Sequence, residues 1–128
     1  MKSPEHGADS RQALGIAGEA EAERKLTCQG LKVVARRFRT RWGELDLVAR
    51  EGDLVVFVEV KARRGTAFGR PADAVTPSKQ KRLARVAQAF LQRAGWGEHP
   101  CRFDVVEVAM AEDGVVVTHI PDAFRPSV

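Results

Sequence analysis

The spacing of apolar residues along the chain changes from a helical period to strand alternation and back again. It predicts a helix over residues 13–29 with a narrow stripe of small and apolar side chains at Leu14, Gly18, Ala22 and Leu26. Gly30 is placed to end this helix. Three strands are predicted next, at about 31–38, 43–50 and 54–62. The third contains the unbroken apolar run LVVFV, which is typical of a central strand buried on both faces.

The second half of the chain predicts one more helix and a final hairpin. Thr76 and Pro77 supply an N-cap and a first helical residue, an apolar residue then recurs at helical spacing, and Gly95 ends the helix. RFDVVEVAM and VVVTHI predict two strands joined at Asp113-Gly114. The order is α-β-β-β-α-β-β, which indicates a single α/β domain over residues 13–128. Residues 1–12 are expected to form a disordered polar leader, and TAFGRPADAVTP a functional or mobile loop.

Charged residues interrupt the second and third predicted strands. A two-residue turn at Gly52-Asp53 would pair Glu51 with Leu54, and counting outward then sets Asp46 opposite Glu59 and Glu44 opposite Lys61. Regular alternation predicts that one face of the second strand carries Leu45, Leu47 and Ala49 and the other carries Glu44, Asp46 and Val48.

Two opposed carboxylates beside an apolar sheet are destabilising unless something compensates their charge. A divalent cation would do so, because carboxylates and a backbone carbonyl such as that of Val60 are the oxygen ligands that Mg²⁺ or Mn²⁺ prefers. Lys61 would then lie beside the ion, where it could orient water or stabilise charge on a phosphate. The alternative is that Asp46 and Glu59 are strand-end charges on a solvated face, with Lys61 paired to a nearby acid.

Two glycines flank an acidic residue in the first predicted helix. Gly15 and Gly18 each reduce helix stability by roughly 1 kcal/mol relative to alanine. They stand four residues and one residue before Glu19. We therefore expect another backbone or a ligand to approach Glu19 closely.

Basic residues are clustered in a chain whose net charge is only +4. KVVARRFRTR, residues 32–41, holds five basic residues and no acid, and KQKRLAR, residues 79–85, holds four. Such clusters permit nucleic-acid binding but also fit an ordinary solvated surface.

Several function classes are excluded or disfavoured by what the sequence contains. No apolar run approaches the roughly 20 residues of a membrane span. The polar start MKSPEHGADSRQ does not resemble a secretory signal, and the two cysteines, Cys28 and Cys101, form no CxxC pattern, so we expect a cytoplasmic protein with reduced thiols. The three histidines lack metal-ligand spacing. No phosphate-binding glycine loop and no Ser-His-Asp arrangement is present, so no small-molecule cofactor is expected.

These segments together resemble a known family. RTRWGELDLVAREGDLVVFVEVKAR, followed by FGRPADAVTPSKQKRLARVAQAFL, is similar to the YraN-like family of small bacterial proteins, and GIAGEAEAERKL, RFDVVEV and HIPDAF match it in the same order. That family belongs to the PD-(D/E)xK nuclease superfamily and is akin to archaeal Holliday-junction resolvases. The resemblance implies a restriction-endonuclease-like fold with a central mixed sheet flanked by helices.

The resemblance also implies a role for each residue that matches the superfamily motif. It makes Asp46 and Glu59 metal ligands, adds the carbonyl of Val60 as a further ligand, and makes Lys61 the catalytic lysine. Glu19 would complete the metal site from the first helix. The proline that gives the motif its name is replaced here by Leu45.

The implied activity is hydrolysis of DNA phosphodiester bonds with Mg²⁺ or Mn²⁺, with branched or junction DNA among the expected substrates. The residues expected to hold the nucleic acid are Arg37, Arg39, Arg41, Arg63, Lys79, Lys81 and Arg82. A homodimer is expected by similarity to the resolvases. Two alternatives stay open: a nucleic-acid-binding module of the same fold with little turnover, and a domain whose basic surface meets an acidic protein.

Overall fold

The computed structural model describes residues 8–65 and 75–126. Its elements, in chain order, are helix α1 (Ala8–Cys28), strands β1 (Lys32–Thr40), β2 (Gly43–Glu51) and β3 (Leu54–Arg64), helix α2 (Pro77–Ala94), and strands β4 (Cys101–Ala111) and β5 (Gly114–Phe124). This is the predicted order, and it confirms the α/β class. Helix α1 begins at Ala8 instead of residue 13. The start of the predicted leader and most of the predicted loop before Thr76 lie outside the described residues.

The five strands form one mixed sheet in the order β1-β2-β3-β4-β5. Neighbouring strands are antiparallel except β3 and β4, which run parallel and are connected through α2. The run that predicted a central strand is buried as expected, because residues 55–58 of β3 are at most 1% exposed. Neither described helix is long and apolar enough to cross a membrane.

Each face of the sheet is covered by one helix. On one face α2 packs against a core that includes Leu45, Val48, Phe57, Val86 and Phe90. On the other face α1 packs against a core that includes Ala22, Leu26, Leu47, Val56 and Val58. The predicted limits of α2 are confirmed: Thr76 caps its start, and Gly95 ends it with φ of 76°.

One predicted hairpin turn is confirmed and the other is shifted. Glu51 pairs with Leu54, so Gly52 and Asp53 form the turn between β2 and β3. The turn between β4 and β5 lies one residue earlier than predicted, because Ala111 pairs with Gly114 and leaves residues 112–113 as the loop. Gly114 is therefore the first residue of β5, where its φ of 148° is one that glycine adopts easily.

The predicted alternation along β2 is wrong at Asp46. Leu45 packs in the core under α2, whereas Leu47 packs in the core under α1. The facing strand is irregular at the same level. Arg37 of β1 takes φ of 53°, and it lies between the register pairs Arg36↔Leu47 and Phe38↔Leu45. A left-handed residue rotates the chain locally, so the side chains on its two sides no longer follow a period of two.

The predicted direct pairing of the charged residues of β2 and β3 is also wrong. The register itself is as predicted, but the pairs between these strands run only from Glu51↔Leu54 to Leu47↔Val58. Continued for one more step, this register would have set Asp46 opposite Glu59, and a further two steps would have set Glu44 opposite Lys61. The two strands separate before that point, and the separation opens the sheet where Asp46 lies.

Gly18 brings α1 close to β3, as the sequence predicted for the helix glycines. A Cβ added at Gly18 would lie 2.5 Å from the Cβ of Ala62, whereas one added at Gly15 would have no atom within 4 Å. The absence of a side chain at Gly18 therefore allows α1 to pack closely on the sheet. The side of α1 that Gly15 occupies is left open.

This contrast gives a prediction about stability. Gly18→Ala is expected to lower the free energy of unfolding by about 1–3 kcal/mol, because the overlap with Ala62 outweighs the gain in helix propensity. Gly15→Ala is the matched control and is expected to raise it by about 0.5–1 kcal/mol, since its methyl group has free space. Urea denaturation of both variants measures the difference. Equal effects of the two substitutions would contradict the packing described for Gly18.

Candidate active site

Asp46 lies where β2 and β3 separate, and its side chain replaces a backbone contact there. In a continued ladder, the N–H group of Val60 would face Leu45 of β2. Instead it donates a hydrogen bond of 2.7 Å to Oδ2 of Asp46. The carboxylate of Asp46 is thereby fixed at the gap between the two strands, beside the Glu59-Val60-Lys61 segment.

The surroundings of Asp46 raise its pKa well above the ordinary value. Burial raises its pKa most, the negative charge of Glu59 raises it further, and together with smaller effects of Glu19 and Glu44 they bring it from 3.8 to about 7. The hydrogen bond from Val60 acts in the opposite direction but does not cancel these effects. Asp46 and Glu59 therefore form the electrostatically opposed pair that the sequence predicted, although they are not ladder partners.

The carboxylate of Glu59 forms an ion pair with an ammonium group from α2. It is only 8% exposed, and Nζ of Lys79 lies 2.5 Å from its Oε2. Lys79 belongs to the first turn of α2, where Oγ1 of Thr76 accepts a 3.2 Å hydrogen bond from the Lys79 N–H. The possibility that Lys61 pairs with Glu59 or Glu44 is not realised, because their basic partners are Lys79 and Arg39.

Glu19 lies on α1 at the edge of the same region. Its Oε1 accepts a hydrogen bond of 2.9 Å from Nε of Arg37, the left-handed residue of β1. Glu19 also lines a cavity of about 340 Å³ together with Gly15, Val60, Lys61 and Arg63. Of the predicted site residues, Glu19, Val60 and Lys61 line this cavity, whereas Asp46 and Glu59 are not among its described lining residues, and Arg37 holds Glu19 to one side.

Lys61 reaches the cavity from β3 and has an acidic neighbour that the sequence prediction missed. It stands next to Glu107 of β4 in the parallel register. Glu107 is 1% exposed, and Nε of Arg63 lies 3.3 Å from its Oε2. Neither oxygen of Glu107 accepts a hydrogen bond from the described residues, and burial raises its pKa. A single acid inside the apolar run VVEVA was the available signal, of the same kind as the one that identified Glu59.

The donor set fits a divalent cation in its chemistry. Among residues 8–65 and 75–126, no group of three acids, histidines or cysteines converges on one point. The set consists of the two carboxylates of Asp46 and Glu59, with the carbonyl of Val60 on the same segment. Their mutual repulsion, which contributes to the pKa of about 7 at Asp46, is the property that a bound cation would relieve. Glu19 adds negative charge but is directed to Arg37.

The seven residues predicted to bind nucleic acid fall into two groups. Four pair with an acid, as Arg37–Glu19, Arg39–Glu44, Arg63–Glu107 and Lys79–Glu59. The other three, Arg41, Lys81 and Arg82, are exposed and form no ion pair within the described parts of the chain. The guanidinium of Arg41 lies 4.7 Å from the centre of the Trp42 ring. Of the seven, these three are the side chains whose charge no described acid compensates.

A second buried polar cluster has a structural role. Asp104 of β4 is fully buried, and its carboxylate accepts hydrogen bonds from the guanidinium of Arg102 and the N–H of Asp122. Nε2 of His119 lies 2.7 Å from Oδ2 of Asp104, and its Nδ1 lies 2.6 Å from Oε1 of Gln29. The cluster joins β4, β5 and the end of α1. None of the predicted site residues takes part in it.

The chain was compared with known proteins. A family model described as "Uncharacterised protein family UPF0102" matches residues 18–108. A UPF0102 protein of Symbiobacterium thermophilum is 52% identical over 101 residues, which cover 79% of this chain and 86% of that protein. One from Rhodococcus jostii is 47% identical over 113 residues, covering 88% and 96%. One from Stutzerimonas stutzeri is 45% identical over 115 residues, covering 89% and 96%.

Proposed function

This chain belongs to the uncharacterised protein family UPF0102, the YraN-like family of the sequence resemblance, and for it we propose divalent-metal-dependent hydrolysis of DNA phosphodiester bonds. One observation carries the proposal. Asp46 and Glu59 oppose each other electrostatically at a gap in the sheet, and Lys61 lies two residues beyond Glu59 at the adjoining cavity. Repulsion between these two carboxylates, of which Glu59 is buried and Asp46 half-buried, reduces stability, so the pair is better explained by a chemical role than by a structural one.

The residues of the site have separate roles in this reaction. Asp46, Glu59 and the carbonyl of Val60 would hold the cation, which when bound lowers the pKa of water and offsets negative charge on phosphate. The ammonium of Lys61 would orient the attacking water or stabilise charge on the phosphate at the cavity that it lines. The hydrogen bond from Val60 keeps Asp46 at the gap, so this ligand is oriented before the substrate arrives.

Nucleic acid is the proposed substrate because uncompensated positive charge lies near this site. Lys81 and Arg82 are exposed in the first turns of α2, two and three residues after Lys79, which contacts Glu59. Arg41 is exposed at the turn between β1 and β2, beside Trp42, which packs against the core under α2. Contacts of this kind with phosphates are independent of sequence.

The ion pairs give some support to a second function. Since the carboxylates of Glu19, Glu44, Glu59 and Glu107 each have a basic partner, the site could be stable without a metal ion. The chain would then be a nucleic-acid-binding module with little turnover. The pKa of about 7 at Asp46 argues against this, because that carboxylate has no basic partner among the described residues.

An assay on defined DNAs distinguishes the two functions. Purified protein is incubated with branched, flap, single-stranded and duplex DNA in Mg²⁺, in Mn²⁺ and in EDTA, with Glu59→Gln as the matched inactive variant. Cleavage that requires the metal and Glu59 supports the nuclease. DNA binding that EDTA does not change, with no cleavage of any substrate, supports the binding module. Light scattering with and without four-way junctions tests the proposed homodimer.

The double variant Lys81→Ala/Arg82→Ala tests the proposed DNA contacts. We expect weaker binding to all DNA sequences, and a slope of log affinity against log salt that is smaller by up to about 1.8, since each lost phosphate contact removes about 0.9. Fluorescence anisotropy measures both quantities between about 50 and 200 mM salt, a range over which phosphate contacts change the affinity measurably. Arg24→Ala/Arg125→Ala is the control, because each of these arginines already pairs with an acid three residues earlier in the chain. An unchanged slope for Lys81→Ala/Arg82→Ala would exclude these contacts.

A further inference from the structure

We propose that Lys79 is a displaceable counter-ion of the site: its ammonium neutralises Glu59 until a divalent cation binds that carboxylate, and the displaced ammonium then contacts a phosphate of the substrate. This inference rests on the proposed function, because it assumes that Glu59 binds a metal ion. It assigns Lys79 a role different from that of the exposed basic residues that follow it in α2.

Lys79 is the least exposed basic partner among the four ion pairs around the site. Nζ of Lys79 lies 2.5 Å from Oε2 of Glu59, and the two side chains are 29% and 9% exposed. In Arg37–Glu19, Arg39–Glu44 and Arg63–Glu107 the arginine is between 41% and 78% exposed. A charge pair with so little solvent around it is weakly screened, so the ammonium and a divalent cation would repel each other strongly at one carboxylate.

The position of Lys79 at the start of α2 makes an acidic partner necessary for a stable ammonium group. The first turn of α2 contains no acidic residue, although the positive end of the helix dipole lies there. An ammonium at this end is unfavourable unless a carboxylate compensates it, and Glu59 provides that carboxylate. The backbone is held in place by the Thr76 cap and by the side chain of Gln80, which donates a 3.0 Å hydrogen bond to the carbonyl of Val75. Displacement would therefore move the lysine side chain and leave the helix in place.

A displaced ammonium has a suitable second partner. It would lie at the N-terminus of α2, where the positive end of the helix dipole favours an anion, and on the same side of the helix as the exposed side chain of Arg82, three residues further on. A phosphate of the nucleic-acid backbone is the anion that fits the proposed function. Metal binding and phosphate binding would then be coupled through one side chain, because a cation that binds the carboxylate of Glu59 displaces the ammonium of Lys79.

Metal titration tests the first half of the inference. Free Mn²⁺ is followed by electron paramagnetic resonance as it is added to wild type, Lys79→Met and Lys81→Met, without DNA. Lys79→Met is expected to bind Mn²⁺ roughly tenfold more tightly, within the range typical for changes next to metal ligands. Lys81→Met is expected to resemble wild type, and Lys79→Arg should restore the weaker binding. Unchanged or weaker binding by Lys79→Met overturns the inference, whereas absence of Mn²⁺ binding by wild type overturns the proposed function itself.

DNA affinity tests the second half, with Ca²⁺ as a cation that we expect to bind without supporting cleavage. Lys79→Met should bind DNA as wild type does in EDTA, because Glu59 engages Lys79 there, and several-fold more weakly in Ca²⁺. Lys81→Met should weaken binding equally in both conditions. An equal loss for Lys79→Met with and without Ca²⁺ would contradict the inference. Melting temperatures show that each variant is folded, and Mn²⁺ should raise that of Lys79→Met more than that of wild type.

Discussion

A Lys61→Met variant is expected to cleave DNA roughly 10²–10³-fold more slowly than wild type while retaining its affinity for divalent cations. Methionine keeps an unbranched apolar side chain but removes the ammonium of Lys61, a residue that lines the cavity together with Glu19 and Val60. In the proposed reaction this charge acts on the phosphate and the attacking water, so the loss should appear in the rate at saturating DNA. Single-turnover cleavage measures that rate directly.

Arg64→Met is the matched control for this experiment. Arg64 lies on the same strand, is exposed, and forms no ion pair within the described residues. Removing its charge should change DNA affinity slightly and leave the rate at saturation unchanged. If Lys61→Met cleaved DNA at the wild-type rate, Lys61 would not be the catalytic lysine. A general effect of net charge would instead slow both variants alike.

The second large effect is expected for Asp46→Asn, which should remove a destabilising interaction. Because the folded-state pKa of Asp46, about 7, lies above its ordinary value of 3.8, the folded state holds this proton more tightly than the unfolded state. The contribution of Asp46 to stability is therefore largest at low pH, falls as pH rises from about 4 to 7, and stays low above 7. Asparagine avoids this loss, so the variant should be more stable than wild type by up to about 4 kcal/mol at pH 8, since each unit of pKa difference corresponds to about 1.4 kcal/mol.

Urea denaturation of both proteins at pH 5 and pH 8, without divalent cations, measures this effect. The difference between them isolates Asp46, since Glu107, whose pKa is raised by burial, contributes equally to both. The advantage of the variant should shrink at pH 5. Added Mn²⁺ should stabilise wild type and not Asp46→Asn. A variant that is less stable than wild type at pH 8 would contradict the electrostatic description of the site.

Much of the fold follows from local patterns. The strands and α2 were predictable because alternation, capping residues and glycine at helix ends act over a few neighbouring positions. The change of face at Asp46 was not, because it coincides with an irregularity of the facing strand, where Arg37 adopts φ of 53°, and arginine gives no sign of such a conformation. The shift of the last hairpin turn by one residue likewise reflects where Gly114 enters the ladder.

The site could be predicted as a set of residues, but its contacts could not. Asp46, Glu59 and Lys61 were identifiable because charges stood inside strands otherwise built for burial. The pairing of Glu59 with Lys79 depends on where α2 packs against the sheet, and no local pattern encodes a contact between residues 20 positions apart. For the same reason, the sequence did not indicate that Glu19, Glu44 and Glu107 would pair with arginines that were predicted to bind DNA.

The most direct test of whether Asp46 and Glu59 form a cation site is crystallography with Mn²⁺. Crystals are grown or soaked in Mn²⁺, and anomalous scattering is recorded near the manganese edge. An anomalous peak within about 2.3 Å of a carboxylate oxygen of each residue and of the Val60 carbonyl is the expected result. In the Mn²⁺-bound crystals the ammonium of Lys79 should no longer contact the carboxylate of Glu59. Well-ordered crystals at saturating Mn²⁺ that show no peak between these two carboxylates, with Lys79 still on Glu59, would contradict the proposed metal-dependent function.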